Sequence, residues 1–171
     1  MAKLKIHIVP DPVLKRVADP VDVVTNDIRK LMDDMLETMS EDYGIAAPQV
    51  GISKRIIVIG FTDRGPLKKP LKIINPEVLW TSEETSTLDQ GCLSVPGFSV
   101  VVERPNAVRI SYMDEHGKNQ VLEDEGFMAQ CILHEIDHLN GITILDYLSP
   151  LKKTMAIKKL KKYKLYYDHQ N

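Results

Sequence analysis

The sequence predicts an α+β fold: small antiparallel or mixed β-sheets packed around a central HExxH-bearing helix, with further helices near the N-terminus and one at the C-terminus. Three observations lead there. β-branched runs concentrate in the middle of the chain, helical periodicity marks both ends, and QCILHEIDHLNG (130–141) sets two histidines four apart among apolar residues. Strands grouped together, with helices on either side of them in sequence, are the α+β pattern.

The first helical signal is DPVLKRV (11–17), where Asp11 caps and Pro12 suits the first turn. A longer helix is expected over 26–41, because Ile28, Leu31, Met32, Met35, Leu36 and Met39 recur at i, i+3, i+4 and i+7. That stripe reads as a face packed on the chain's own core. RIIVIGF (55–61) and LKIINPEVLW (71–80) are strand-like, with Pro76 marking a bulge or an edge, and TDRGPLKKP (62–70) carries turn signals between them. FSVVVERP (98–105) predicts another strand, and 107–123 a hairpin turning near Glu115-His116-Gly117. Glu123, Asp124 and Glu125 are read as negative charge at the start of a helix that runs to about Leu139. Gly141 stands where a helix end often needs a left-handed residue. Ser149 and Pro150 open a last helix.

With 171 residues, no internal repeat and no low-complexity linker, the chain is expected to form one domain over 1–171. Its 43% hydrophobic and 27% charged residues are those of a soluble globular protein. No apolar run suits a membrane span, and the N-terminus lacks the pattern of a secretory signal, so a cytoplasmic protein is expected. Cys92 and Cys131 are then expected as free thiols. A formal net charge of −2 excludes a chain that is basic throughout, though not a local basic patch.

His134 and His138 lie one above the other on a helix, so both imidazoles can grip one metal ion, with Glu135 beside them. A catalytic ion needs a third protein ligand and an open position. The downstream options of metalloproteases fail: Ile144 occupies the position where HExxHxxGxxH has its last histidine, and no glutamate follows Glu135. Asp137 faces away from the histidine pair, while Asp146, Asp168 and His169 have no recognisable spacing. Upstream, Cys131 shares the helical face of the histidines and reads better as a thiol lining the site. Cys92, in the loop-like QGCLSVPG, can complete a tetrahedron from a separate segment, although a Gly-Cys pair alone does not decide it. In YGIAAPQVG (43–51), small residues allow close backbone approach. Gln49 there is either an oxyanion donor or a surface residue of a helix-to-strand turn.

Taken together and in order, Asp42 to Gln49, Gln90 to Ser94 and His134 to His138 closely resemble the GxGLAAxQ, EGCLS and HExxH segments of the peptide deformylase family. PDPVLKRVADPV near the start and IINP at 73–76 extend the likeness across the chain. The resemblance implies hydrolysis of the N-formyl group from formyl-methionyl peptides and nascent chains. It implies Cys92, His134 and His138 as ligands of one divalent ion, Fe(II) in the cell, with Zn, Ni or Co able to take its place. Glu135 maps to the general acid/base, and the Gln49 side chain and Leu93 backbone N–H map to the oxyanion donors. Gly44 and its neighbours would receive the substrate backbone. Leu88, Phe127 and Cys131, which flank the ligand segments, are the expected walls of the methionine pocket.

The chemistry suits these residue types. Water at neutral pH is a poor nucleophile, and a metal lowers the pKa of bound water toward ~7. Glu135 can take that proton and pass it to the leaving amine. Two departures from the family pattern stand out: Asp42 where a glycine is usual, and Gln90 where a glutamate is usual. Gln90 keeps an acceptor oxygen and lacks a negative charge, so altered metal affinity is expected. A metal-dependent endopeptidase and a non-catalytic metal or formyl-peptide binder are the alternative readings. The lysines from Lys152 to Lys164 make the last helix basic. It is read as either a packed helix with a solvated face or, as the resemblance implies, a contact with the ribosome. No sequence-specific nucleic acid and no membrane partner are expected.

Overall fold

The computed structural model describes residues 2–40, 42–60 and 69–170, without the side chains of residues 167, 169 and 170. Asp11 accepts from the Val13 N–H at 3.0 Å and caps a 3₁₀ turn, Pro12–Lys15. Helix α1, Asn26–Met39, starts at Thr25, whose hydroxyl accepts from the Ile28 N–H. Strands β1, Gly44–Ala46, and β2, Ile56–Ile59, flank a 3₁₀ turn at Ala47–Val50. Then follow β3, Leu71–Thr81; β4, Thr85–Gln90; β5, Val100–Pro105; β6, Ala107–Met113; and β7, Asn119–Glu125. Helix α2 spans Phe127–Leu139 and helix α3 Pro150–Gln170.

One antiparallel sheet has the order β1-β2-β3-β6-β7, and β4 and β5 form a second. The expected α+β class is the observed one, with α2 in the centre. Alternation along β2 explains how the large sheet serves two helices. Ile57 and Ile59 join Met128, Ile132, Ile136 and Leu139 of α2, whereas Ile56 and Val58 join Met32, Met35 and Met39 of α1. All four β2 side chains are fully buried, worth about 1.5–3 kcal/mol each. A third cluster joins the small sheet to the N-terminal turn and the first half of α3, through Val100, Val102, Leu14, Ala156 and Leu160.

Three boundaries differ from expectation. Glu123, Asp124 and Glu125 belong to β7, paired opposite Arg109, Val108 and Ala107, and α2 begins after Gly126 instead. Cross-strand pairing with β6 satisfies their backbone, which local charge could not predict. Residues 85–90 form a strand that the sequence reading missed, and β1 occupies part of what was read as a turn. The register slips between Ile74 and Glu77, beside Pro76, so the expected bulge is present. The turn expected at 62–70 lies mostly outside the described residues.

The C-terminal end of α2 is pinned. Its last carbonyl, on Leu139, accepts from the Ala18 N–H at 2.9 Å and from Arg55 Nη1 at 3.0 Å, and Arg55 Nη2 donates to Asn140 Oδ1. Gly141, at φ +75°, lets the chain pass the N-terminal turn: a Cβ there would fall 2.5 Å from the Lys15 carbonyl oxygen. Gly141→Ala is therefore expected to destabilise the fold by more than the about 1–2 kcal/mol of a left-handed alanine alone. Gly117→Ala, at φ +76° with open space around it, is the control that carries only the conformational cost. Urea melts giving equal losses for the two variants would show that the Lys15 contact is unimportant.

Candidate metal centre

Three chain segments meet above α2. Its helical spacing stacks His134 and His138, the loop after β4 delivers Cys92, and the turn after β1 delivers Gln49. The ligand atoms of Cys92, His134 and His138 all lie within 4.8 Å of one another, with Cys92 Sγ 3.3 Å from His138 Nε2. Cys131 is outside this group and lines the neighbouring cavity; both cysteines are free. Asp137 does turn away, toward Arg104.

The donor set fits a divalent cation. Burial pushes the Cys92 thiol up to about 12, and Glu135 nearby adds to this, while the N–H groups of Ser94 and Val95 donate to its sulfur and pull the other way. A bound cation reverses that balance and deprotonates a coordinating thiol. Burial also holds His134 down at about 4, helped by Arg104. His138 is likewise held well below its ordinary range, by burial first and then by His134 and Arg104. Both rings are therefore neutral, as metal ligands must be.

Glu135 is buried, and its Oε2 has no hydrogen-bond partner among the described residues. Burial drives its carboxyl up to about 8, against the pull of Arg104 and with Asp42 and Asp137 adding to the rise. Gly44 makes room for it, since a Cβ there would sit 2.8 Å from Glu135 Oε1 and 3.0 Å from its Cγ. Gln49 is almost fully buried rather than a surface residue. Its Oε1 accepts from the Ala46 N–H at 2.9 Å, which turns its amide nitrogen toward Ser94 Oγ (3.2 Å) and Cys92 Sγ (3.5 Å).

A cavity of about 470 Å³ opens beside these groups. Leu88, Leu93, Phe127 and Cys131 line it, as do Gly44 and Gln49, so every sequence-predicted site residue except His138 borders it; His138 lies beneath, in the metal group. At its mouth Tyr43 and Phe127 meet edge to face at 4.7 Å. Sequence reasoning missed Gln130, Tyr147 and the pairing of Asp137. Gln130 lies one helical turn before His134, a spacing that could have flagged it. Nothing local marks Tyr147.

An α+β fold that gathers Cys, His and His ligand atoms over a helix, beside a buried glutamate with one oxygen left without a hydrogen-bond partner among the described residues, defines a metal-dependent hydrolase. The chain belongs to the peptide deformylase family: the family model described as polypeptide deformylase matches residues 3–154. The peptide deformylase of Rhizobium meliloti (strain 1021) is 49% identical over 157 residues, covering 91% of this chain and 90% of that one. That of Phenylobacterium zucineum (strain HLK1) is 48% identical, covering 95% and 98%. Among solved structures, peptide deformylase from Ehrlichia chaffeensis superposes with a TM-score of 0.90 at 39% identity, covering 96% of this chain and 98% of that one. A complex of the Ehrlichia chaffeensis enzyme with actinonin gives a TM-score of 0.89 at 42% identity, covering 95% and 98%.

The raised Glu135 carboxyl has a consequence for the metal-free fold. A protonated Glu135 is the better buried form, so its contribution to stability is complete below the ordinary value of 4.5 and is lost as pH rises through about 8. Glu135→Gln cannot titrate. Between pH 4.5 and 9 the metal-free parent should therefore lose stability relative to Glu135→Gln, in paired urea melts where other titrating groups cancel. A difference independent of pH would mean that the carboxyl titrates normally.

Proposed function

We infer that this chain removes the N-formyl group from the formyl-methionine at the start of newly made polypeptides, as a metal-dependent amidohydrolase. The observation that carries the reading is the convergence of Cys92, His134 and His138 beside Glu135, whose Oε2 has no hydrogen-bond partner among the described residues, at a cavity open to solvent. The proposed catalytic unit is the whole chain, residues 1–171. Cys92, His134 and His138 are the proposed ligands of a single ion. Fe(II) is the proposed metal in the cell, and Zn, Ni or Co suit the same donors.

When bound, the ion supplies Lewis acidity, which brings the pKa of water toward ~7 and polarises a formyl oxygen. The protein groups do the rest. Glu135 takes the proton of the attacking water and delivers it to the departing amine, a role supported by its burial beside the ligand group with an Oε2 that has no hydrogen-bond partner among the described residues. The Gln49 amide N–H and the Leu93 backbone N–H stabilise the oxyanion as the formyl carbon becomes tetrahedral. The fixed direction of the Gln49 amide supports this assignment, because its donor end faces Cys92. The substrate backbone lies along Gly44: β1 ends the large sheet and, among the described residues, pairs only with β2, so an extended peptide can add there. Leu88, Phe127 and Cys131 form the proposed pocket for the methionine side chain, supported by their place on the cavity wall.

Protein reconstituted with Fe(II) or Ni(II) is expected to deformylate formyl-Met peptides. Cys92→Ala, His134→Ala and His138→Ala should each lose both metal and activity, and Cys131→Ala should keep the metal. Glu135→Gln should keep the metal and lose at least the about 10²–10⁴-fold that general base catalysis contributes. Metal analysis paired with single-turnover assays checks this, and an active Glu135→Gln would remove that residue from the mechanism.

The proposed action on nascent chains implies a cytoplasmic protein working near the ribosome. Among the described residues no helix is long and apolar enough to cross a membrane. The proposed ribosome contact is α3, whose seven lysines (152, 153, 158, 159, 161, 162 and 164) suit phosphate binding. Changing them to glutamine should reduce ribosome co-sedimentation at low salt and leave turnover of short peptides intact. Unchanged co-sedimentation would leave α3 a structural element only.

A further inference from the structure

Gln90, Arg104 and Gln130 are all buried, at 6%, 5% and 3% exposure, in a network of directed hydrogen bonds that ends on His134. Gln90 closes β4 and points its amide at α2. Its Oε1 accepts from Arg104 Nη2 at 3.2 Å and Nε at 3.4 Å, and lies 3.1 Å from His134 Nδ1. Its Nε2 donates to Gln130 Oε1 at 3.2 Å. Arg104 in turn donates from Nη1 to Asp137 Oδ2 at 2.7 Å and to Tyr147 Oη at 3.1 Å, while the Tyr147 hydroxyl donates to the same Asp137 oxygen at 2.6 Å. The guanidinium also sits over the Tyr147 ring, 5.0 Å from its centre.

We propose that Arg104, held by Asp137 and Tyr147, is a positioning residue for the metal centre: it fixes the direction of the Gln90 amide and, through it, the tautomer of His134. The inference rests on His134 being a metal ligand. A carboxylate at position 90 would accept through either oxygen and would need no such control. An amide has a donor end and an acceptor end, and only one direction serves. With Oε1 toward His134, the ring donates from Nδ1–H and leaves the Nε2 lone pair for the ion. Reversed, the amide N–H groups would face Nδ1 and impose the opposite tautomer, which cannot bind metal through Nε2.

Two neighbours forbid the reversal. A guanidinium has donors only, so Arg104 admits nothing but the oxygen of Gln90. Gln130 is itself directed, because its Nε2 donates to Ser86 Oγ at 3.0 Å and faces the Arg104 and Pro105 carbonyl oxygens at 3.4 Å, leaving only its own oxygen for Gln90. His138 has no comparable control, since its Nδ1 lacks a partner among the described residues. External orientation of the histidine pair therefore runs through His134.

The test is Co(II) affinity by chelator competition, together with the visible absorption bands of the Co(II) protein, across a double-mutant cycle. Arg104→Met should weaken Co(II) binding by about 10- to 100-fold and alter the bands, within the usual range for groups outside the ligand shell. Tyr147→Phe should do the same by a smaller factor. In a Gln90→Glu background both losses should shrink to about threefold or less, because a carboxylate holds the tautomer unaided. Equal losses in both backgrounds, or an unchanged Co(II) spectrum in Arg104→Met, would overturn the proposal. If Arg104→Met does not fold, the Tyr147→Phe and Gln90→Glu pair completes the same cycle. Undiminished Co(II) affinity in His134→Ala would instead overturn the ligand assignment beneath it.

Discussion

Everything at the centre of this protein follows from burying a helix that carries polar side chains on more than one side. Helix α2 contributes Met128, Ile132, Ile136 and Leu139 to the large sheet, yet also buries Gln130, Glu135 and His138. Each of those groups needs a partner or a reason to lack one. Gln130 is satisfied by Gln90 and by Ser86. Glu135 keeps an Oε2 without a hydrogen-bond partner beside the ligand group, while His138, whose Nε2 faces Cys92, has no partner for its Nδ1 among the described residues. The sheets, the loop at Cys92 and the turn at Gln49 converge on that polar stripe, which is why the ligand segments come from distant parts of the chain.

Much of this frame was legible in residues 26–41, 55–61, 71–80 and 107–123, where apolar periodicity is strong enough to outvote local exceptions. Legibility failed where tertiary pairing decides. Thr85–Gln90 is a polar, β-capable stretch that becomes a strand only because β5 lies beside it, and β1 is three residues long. Glu123, Asp124 and Glu125 look like charge at a helix start, but pairing with β6 extends them. Helical spacing puts His134 and His138 on one face, whereas the approach of Cys92 depends on a loop whose path no local rule predicts. Tyr147 and Arg104 are 43 residues apart and meet only in the folded chain.

The two departures from the family pattern differ in kind. Asp42 sits on the rim of the cavity, where its charge adds to the forces that keep Glu135 protonated and Cys92 neutral in the metal-free protein. Gln90 lies inside, where losing a carboxylate leaves Arg104 balanced by Asp137 alone among the side chains that bond it. Rim charge is screened by solvent, while buried charge is not. The interior exchange is therefore the one with consequences for how the ion is held.

Helix α3 is anchored at Ala156 and Leu160 and has no buried residue among the described side chains beyond them. Past that anchor, Lys161, Lys162 and Lys164 point in three directions about the helix axis rather than along one stripe. At 3.6 residues per turn these three lysines spread over an arc of about 160°. Under the proposed ribosome contact, lysines spread that widely would accept more than one angle of approach to a polyanionic surface. On that proposal, the helix would set how far the cavity stands from the surface without fixing a single facing.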